Sequence, residues 1–314
     1  MADSFAAAKF VDPRVTAKGE ERAMVPLHAL ETLWFNTGTL CNITCAHCYI
    51  ESSPRNDRLA YLSLGEVSAY LDEIERERLP TTLIGFTGGE PFMNKEIVAI
   101  LDETLSRGFE ALVLTNAMRP MQRHRAQLAE LASLYGARFR LRVSLDDPSP
   151  GIHDAERGAG TYEKTMAGLK WLAANGFVVE VAGRNFTREP EHSLRARFQA
   201  LFDEIGLKLD ASNPAALVIF PEMDMTSDPP EITTACWGIL NKDPRDVMCA
   251  SARMVVKRKH AERPAVLACT LLPYDAQFEL GETLSAASGP VALNHKYCAS
   301  FCVLGGASCG TAKA

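Results

Sequence analysis

The sequence predicts an α/β fold built on one parallel sheet, and three observations point there. Short apolar runs alternate with amphipathic stretches from about residue 30 to 225. Glycine closes the amphipathic stretches at Gly108, Gly136, Gly176 and Gly206, where a left-handed backbone after a helix costs least. Those glycines recur every 28 to 40 residues, the length of a strand–helix unit.

The predicted strands are 32–37 (TLWFNT), 81–87 (TTLIGFT), 110–116 (EALVLTN), 139–146 (FRLRVSLD), 177–183 (FVVEVAG) and 216–221 (ALVIFP). Helical periodicity fills the intervals, most clearly over 62–79 and 161–175, where apolar residues step by three and four. Six strands with crossover helices make a parallel sheet, curved or open, whose ligands gather at the C-terminal ends of the strands. Pro229-Pro230 breaks the rhythm. The expected organisation is therefore an extension over 1–30, a strand–helix domain over 31–228, and a small cysteine-rich α+β domain over 229–314.

Composition excludes several classes of function. Apolar residues make up 47% of the 314 and charged ones 23%, as in ordinary globular domains. A net charge of −6 speaks against a nucleic-acid footprint. No apolar run is long enough to span a bilayer, so no membrane partner is expected. The N-terminal residues have no apolar signal core, and nine cysteines are then expected in a reducing cytoplasm, where clustered thiols bind metal or do redox chemistry.

Three of those cysteines fall within nine residues, CNITCAHCY (41–49), just past the first strand. The spacing is too dense for a disulfide framework and lacks the second ligand pair of a tetrahedral zinc site. Three thiolates on one loop suit a cubane [4Fe–4S] cluster with one iron left open.

The motif resembles the C-x3-C-x-Φ-C signature of the radical S-adenosylmethionine (SAM) superfamily, with His47 at the Φ position, and TGGEP (87–91) resembles its GGE motif. The resemblance implies a partial (β/α)6 radical SAM barrel in which Cys41, Cys45 and Cys48 ligate the cluster and SAM chelates the fourth iron. Gly88 and Gly89 would let the backbone approach the methionine moiety, with Glu90 and Pro91 shaping the turn. Asn116, Ser144 and Asp146, at later strand ends, would meet the ribose and methionine ends of SAM. Arg184 and Asn185 would meet its carboxylate. An electron from a flavodoxin- or ferredoxin-type reductant would break S–C5′ and release a 5′-deoxyadenosyl radical that removes a hydrogen atom from substrate.

The remaining cysteines are Cys236, Cys249, Cys269, Cys298, Cys302 and Cys309. Their arrangement resembles the Twitch form of the SPASM domain, which carries an auxiliary [4Fe–4S] cluster. Residues 249–269 would be its hairpin, with RKHAERP as the turn. The last motif, C-x3-C-x6-C, departs from the commoner C-x2-C-x5-C, which leaves open which of Cys298, Cys302 and Cys309 ligate; Cys249, Cys269, Cys302 and Cys309 are the expected set. A structural zinc on four of these thiols is the alternative.

The expected reaction is oxidation or bond formation assisted by that cluster. Alternatives are an epimerase with Cys236 as hydrogen-atom donor, a peptide-modifying maturase, and a non-enzymatic electron carrier. Only about 30 residues precede the first strand, too few for a leader-binding module, so the expected substrate is a small molecule.

Overall fold

A computed structural model describes residues 8–305 apart from 222, 223 and 225. All six predicted strands form, as β1 (Thr32–Asn36), β2 (Leu83–Thr87), β3 (Glu110–Thr115), β4 (Phe139–Ser144), β5 (Val178–Arg184) and β6 (Leu217–Phe220). They pair in parallel in that order. Helices α1 (Leu64–Glu77), α2 (Ile97–Ser106), α3 (Arg125–Tyr135), α4 (Pro150–Arg157), α5 (Thr161–Ala174) and α6 (Glu191–Ile205) make the crossovers.

Local signals fix the helix ends. Ser63 and Glu66 cap α1 reciprocally, Glu66 N–H donating to Ser63 Oγ at 3.3 Å and Ser63 N–H to Glu66 Oε2 at 2.9 Å. The four glycines read as stops all have positive φ, from 56° to 96°.

Alternate strand residues go to two different cores. Leu33, Phe35, Ile84, Phe86, Val113 and Leu141 pack outward against the helices. Trp34, Leu83 and Leu112 pack inward. Covered on both faces, β1 and β2 are buried along their whole length. The inward face carries a local constraint at Gly85, where a Cβ would sit 2.3 Å from Trp34 Cε3.

The cysteine-rich segment extends the same sheet. Strand β7 (Ala252–Val256) pairs in parallel with β1, β8 (Ala265–Leu267) pairs antiparallel with β7, and β9 (Glu279–Gly281) follows, giving the order β9-β8-β7-β1-β2-β3-β4-β5-β6. The hairpin read over 249–269 therefore forms, and it is continuous with the barrel sheet. At the opposite edge Phe301 stacks on Phe220 of β6, with ring centroids 5.8 Å apart. The segment thus touches both edges of the open barrel. Residues from the N-terminal stretch join it: Met24–Val25 pairs with Val291–Ala292, and Arg22 meets Glu231 at 2.5 Å. Among the described residues no helix is long and apolar enough to cross a membrane.

Gly85→Ala is expected to cost about 1–3 kcal/mol by overpacking against Trp34. Urea unfolding measures this, and Trp34→Leu in the same chain should recover most of the loss.

Candidate functional site

The loop after β1 is held from three sides. Thr37 N–H donates to Thr87 O at 2.8 Å, Gly89 N–H to Gly38 O at 2.9 Å, and Glu90 N–H to Leu40 O at 3.2 Å, so the pairing of β1 with β2 continues past the strands. A Cβ at Gly88 would lie 2.4 Å from Gly38 O, and one at Gly89 2.2 Å from Leu40 O. Gly88, at φ 136°, also needs a backbone that other residues rarely adopt. The two glycines line the site, and the close approach they permit in the structure is to the cysteine loop itself.

Glu90 is buried and ties β2 to β3. Its carboxylate accepts from Thr115 Oγ1 at 2.8 Å and Asn116 N–H at 2.9 Å. Burial pushes its carboxyl up to about 7, against those hydrogen bonds. Pro91 opens a single 3-10 turn behind it. Asn116 in turn donates from Nδ2 to Asn42 Oδ1 at 2.9 Å, so the end of β3 also grips the cysteine loop.

The third brace was not legible in the sequence. Glu156, at the end of α4, accepts His47 N–H at 2.9 Å on Oε1 and lies 2.7 Å from His47 Nδ1 through Oε2, while its main-chain O accepts Ala46 N–H at 2.8 Å. Arg184 Nη1 meets the same carboxylate at 3.0 Å, and its guanidinium lies 4.5 Å from the centroid of the Phe186 ring. Arg157, next in sequence, pairs with Asp146 at 2.5 Å. Burial would raise the Asp146 carboxyl, but the guanidiniums of Arg157 and Arg184 hold it below the usual range. The available signal was positional: "DAERG" follows the strand that ends in Ser144.

These residues surround one cavity of about 180 Å³ at the C-terminal ends of the strands. Cys41, Cys45 and Cys48 line it, as do Gly88, Gly89, Asn116, Ser144, Asp146 and Arg184. Burial pushes the Cys41 thiol up to about 12 and Cys45 to about 11. Its far wall is largely apolar, with Trp34, Leu114, Phe220, Leu271 and Phe301 beside the inward guanidinium of Arg142. Asn185 is not in the lining; its Nδ2 donates to Glu189 O at 2.7 Å.

The described tail thiols share one core: Cys249 is buried in it, and Cys236, Cys269, Cys298 and Cys302 pack against it. Cys302 follows Cys298 by one turn of a π-helix over Cys298–Val303. Cys298, absent from the expected ligand set, packs against the same core as Cys249, while Cys309 lies outside the described residues. Cys236 begins a five-residue helix (Cys236–Leu240), its Sγ receives Thr233 N–H at 3.4 Å, and it does not line the cavity.

A family model for the radical SAM superfamily matches residues 35–194. The chain belongs to the radical SAM superfamily. Over 169 residues it is 32% identical to the antilisterial bacteriocin subtilosin biosynthesis protein AlbA of Bacillus subtilis, covering 54% of this chain and 35% of that one. It is 30% identical over 169 residues to the mycofactocin maturase MftC of Mycobacterium ulcerans, covering 54% and 43%. The matched segment therefore spans less than half the length of these curated relatives. Among solved structures, the fold resembles Streptococcus suis SuiB bound to S-adenosylmethionine, with a TM-score of 0.59 at 12% identity over 81% of this chain and 63% of that one. It also resembles native anSMEcpe with bound AdoMet, with a TM-score of 0.60 at 13% identity over 85% and 82%.

The chain is thus one of a superfamily that uses a [4Fe–4S] cluster and SAM. Its residues fit both groups. Three thiols share one cavity, and two buried lining atoms, Trp34 Nε1 and Ser52 Oγ, have no partner and can serve a ligand. Among the described residues no three Cys, His, Asp or Glu side chains converge on a single metal ion. Thiolates of a cubane each bind a different iron and stand further apart.

Glu156→Gln should keep the fold but weaken iron retention by the loop about 10–100-fold, the usual cost of removing a group that orients a metal-binding element. Titration of the reconstituted protein with an iron chelator measures it.

Proposed function

We propose that the enzyme abstracts a hydrogen atom from a peptide substrate and that a second, auxiliary [4Fe–4S] cluster in the tail assists an oxidation or bond-forming step. One observation carries this reading: Thr270 and Leu271, which directly follow Cys269, line the same cavity as Cys41, Cys45 and Cys48. A substrate held there lies between the two thiol clusters.

When bound and reduced by one electron, the loop cluster and SAM supply a 5′-deoxyadenosyl radical. The protein's own residues position that chemistry. Cys41, Cys45 and Cys48 hold the cluster, and Glu156 and Asn42 fix their loop. Asn116, Ser144 and the ion-paired Asp146 and Arg184 offer polar contacts for SAM at the strand ends. Trp34, Phe220, Leu271 and Phe301 keep water away from the reacting atoms. Arg142, paired with Glu180 at 2.7 Å, closes the lumen below.

The peptide reading draws its support from the relatives named as a bacteriocin biosynthesis protein and a maturase. A small-molecule substrate is the second reading, supported by a further relative, the AdoMet-dependent heme synthase of Nitratidesulfovibrio vulgaris, 28% identical over 167 residues. The position of Cys236 outside the cavity gives no support to a hydrogen-donating role for it.

Anaerobically reconstituted protein with SAM and a low-potential reductant should release 5′-deoxyadenosine and methionine, and the Cys41/Cys45/Cys48→Ala variant should release none. Mass spectrometry of candidate peptides and porphyrins then separates the two readings: loss of two hydrogens from a peptide upholds the first, and a change confined to porphyrins overturns it.

A further inference from the structure

The three largest fully buried cationic side chains are Arg22, Arg142 and Arg253. Burying a guanidinium is costly unless a counter-charge accompanies it. Arg22 has Glu231 at 2.5 Å and Arg142 has Glu180 at 2.7 Å. Arg253, only 1% exposed, has no carboxylate partner among the described residues. Its donors go to four main-chain carbonyls: Ala287 O at 2.8 Å from Nε, Cys249 O at 2.6 Å and Ala252 O at 2.8 Å from Nη1, and Gly289 O at 3.1 Å from Nη2. Those carbonyls satisfy the N–H groups but leave the unit charge uncompensated.

The bond from Arg253 Nη1 to Cys249 O ties the guanidinium to the tail thiols, because Cys269 and Cys298 pack against the core that contains Cys249. The described residues therefore offer a buried cation with no carboxylate, beside sulfurs that bind iron as anionic thiolates.

We propose that Arg253 is the counter-charge of an anionic thiolate-ligated iron–sulfur cluster held by Cys249, Cys269 and Cys298, and that it raises that cluster's reduction potential. The inference rests on the auxiliary-cluster reading above. Arg253 is a positioning residue in this role, since it acts through the cluster and not on substrate. Charge and hydrogen bonding near the sulfurs are among the levers that set the potential of such clusters. Reduction adds a negative charge, so a fixed cation nearby favours the reduced form.

The test uses the full chain with Cys41, Cys45 and Cys48 replaced by Ala, so that only a tail cluster contributes. Iron, sulfide and zinc are assayed, and the midpoint potential is read by EPR during redox titration, for Arg253, Arg253→Gln and Arg253→Lys. The expected result is that Gln keeps the cluster but makes one-electron reduction about tenfold less favourable, a fall of about 59 mV, and that Lys recovers most of it. Loss of the cluster in Gln with retention in Lys also supports the proposal. An unmoved potential in Gln with iron intact overturns it. So does equal loss of cluster and fold in Gln and Lys, which would make Arg253 a staple for carbonyls. A parent that holds zinc or no metal instead sinks the auxiliary-cluster reading itself.

Discussion

Two main-chain hydrogen bonds, Gly89 N–H to Gly38 O and Glu90 N–H to Leu40 O, carry the architecture of the site. They prolong the β1–β2 pairing into the cysteine loop, so the loop inherits its position from the most buried part of the sheet. The approach is too close for any side chain at 88 or 89. Glu90 then passes the constraint to β3, and Asn116 returns it to the loop through Asn42. A loop of three cysteines would otherwise bear a large ordering entropy before it could bind anything.

Around this frame, charge is arranged so that each buried ion in the cavity has a partner. Asp146 pairs with Arg157, and Glu156 with both Arg184 and His47. The pairs link α4 and β5 to the cysteine loop, so the polar groups at the strand ends are positioned by the same contacts that shape that loop. Arg253 departs from this pattern, and it donates to the main chain of Cys249.

The barrel half of the fold was legible because its signals are local. Strand runs and glycine stops each lie within a few residues, and the cysteine loop is contiguous. The rest depended on long-range contact. That β7 would pair with β1 across more than 200 residues is set by tertiary packing, not by any motif in ARMVV. Glu156 and Arg157 sit in a short polar helix end that looks solvated in isolation and is turned inward only by the fold. Which of Cys298, Cys302 and Cys309 ligate was not legible, because the last motif departs from the commoner spacing. The glycines at 88 and 89 were found, but the backbone they accommodate in the structure is the neighbouring loop.

The measurement that bears most directly on the central constraint is iron content and SAM cleavage in Gly89→Ala, with circular dichroism as a check on the fold. The methyl must displace Leu40 O from its 2.2 Å approach and with it the loop. The account predicts a folded protein that lacks the loop cluster's iron and forms no 5′-deoxyadenosine. A variant that retains full iron and cleaves SAM at the parent rate would show that the cysteine loop does not depend on this contact.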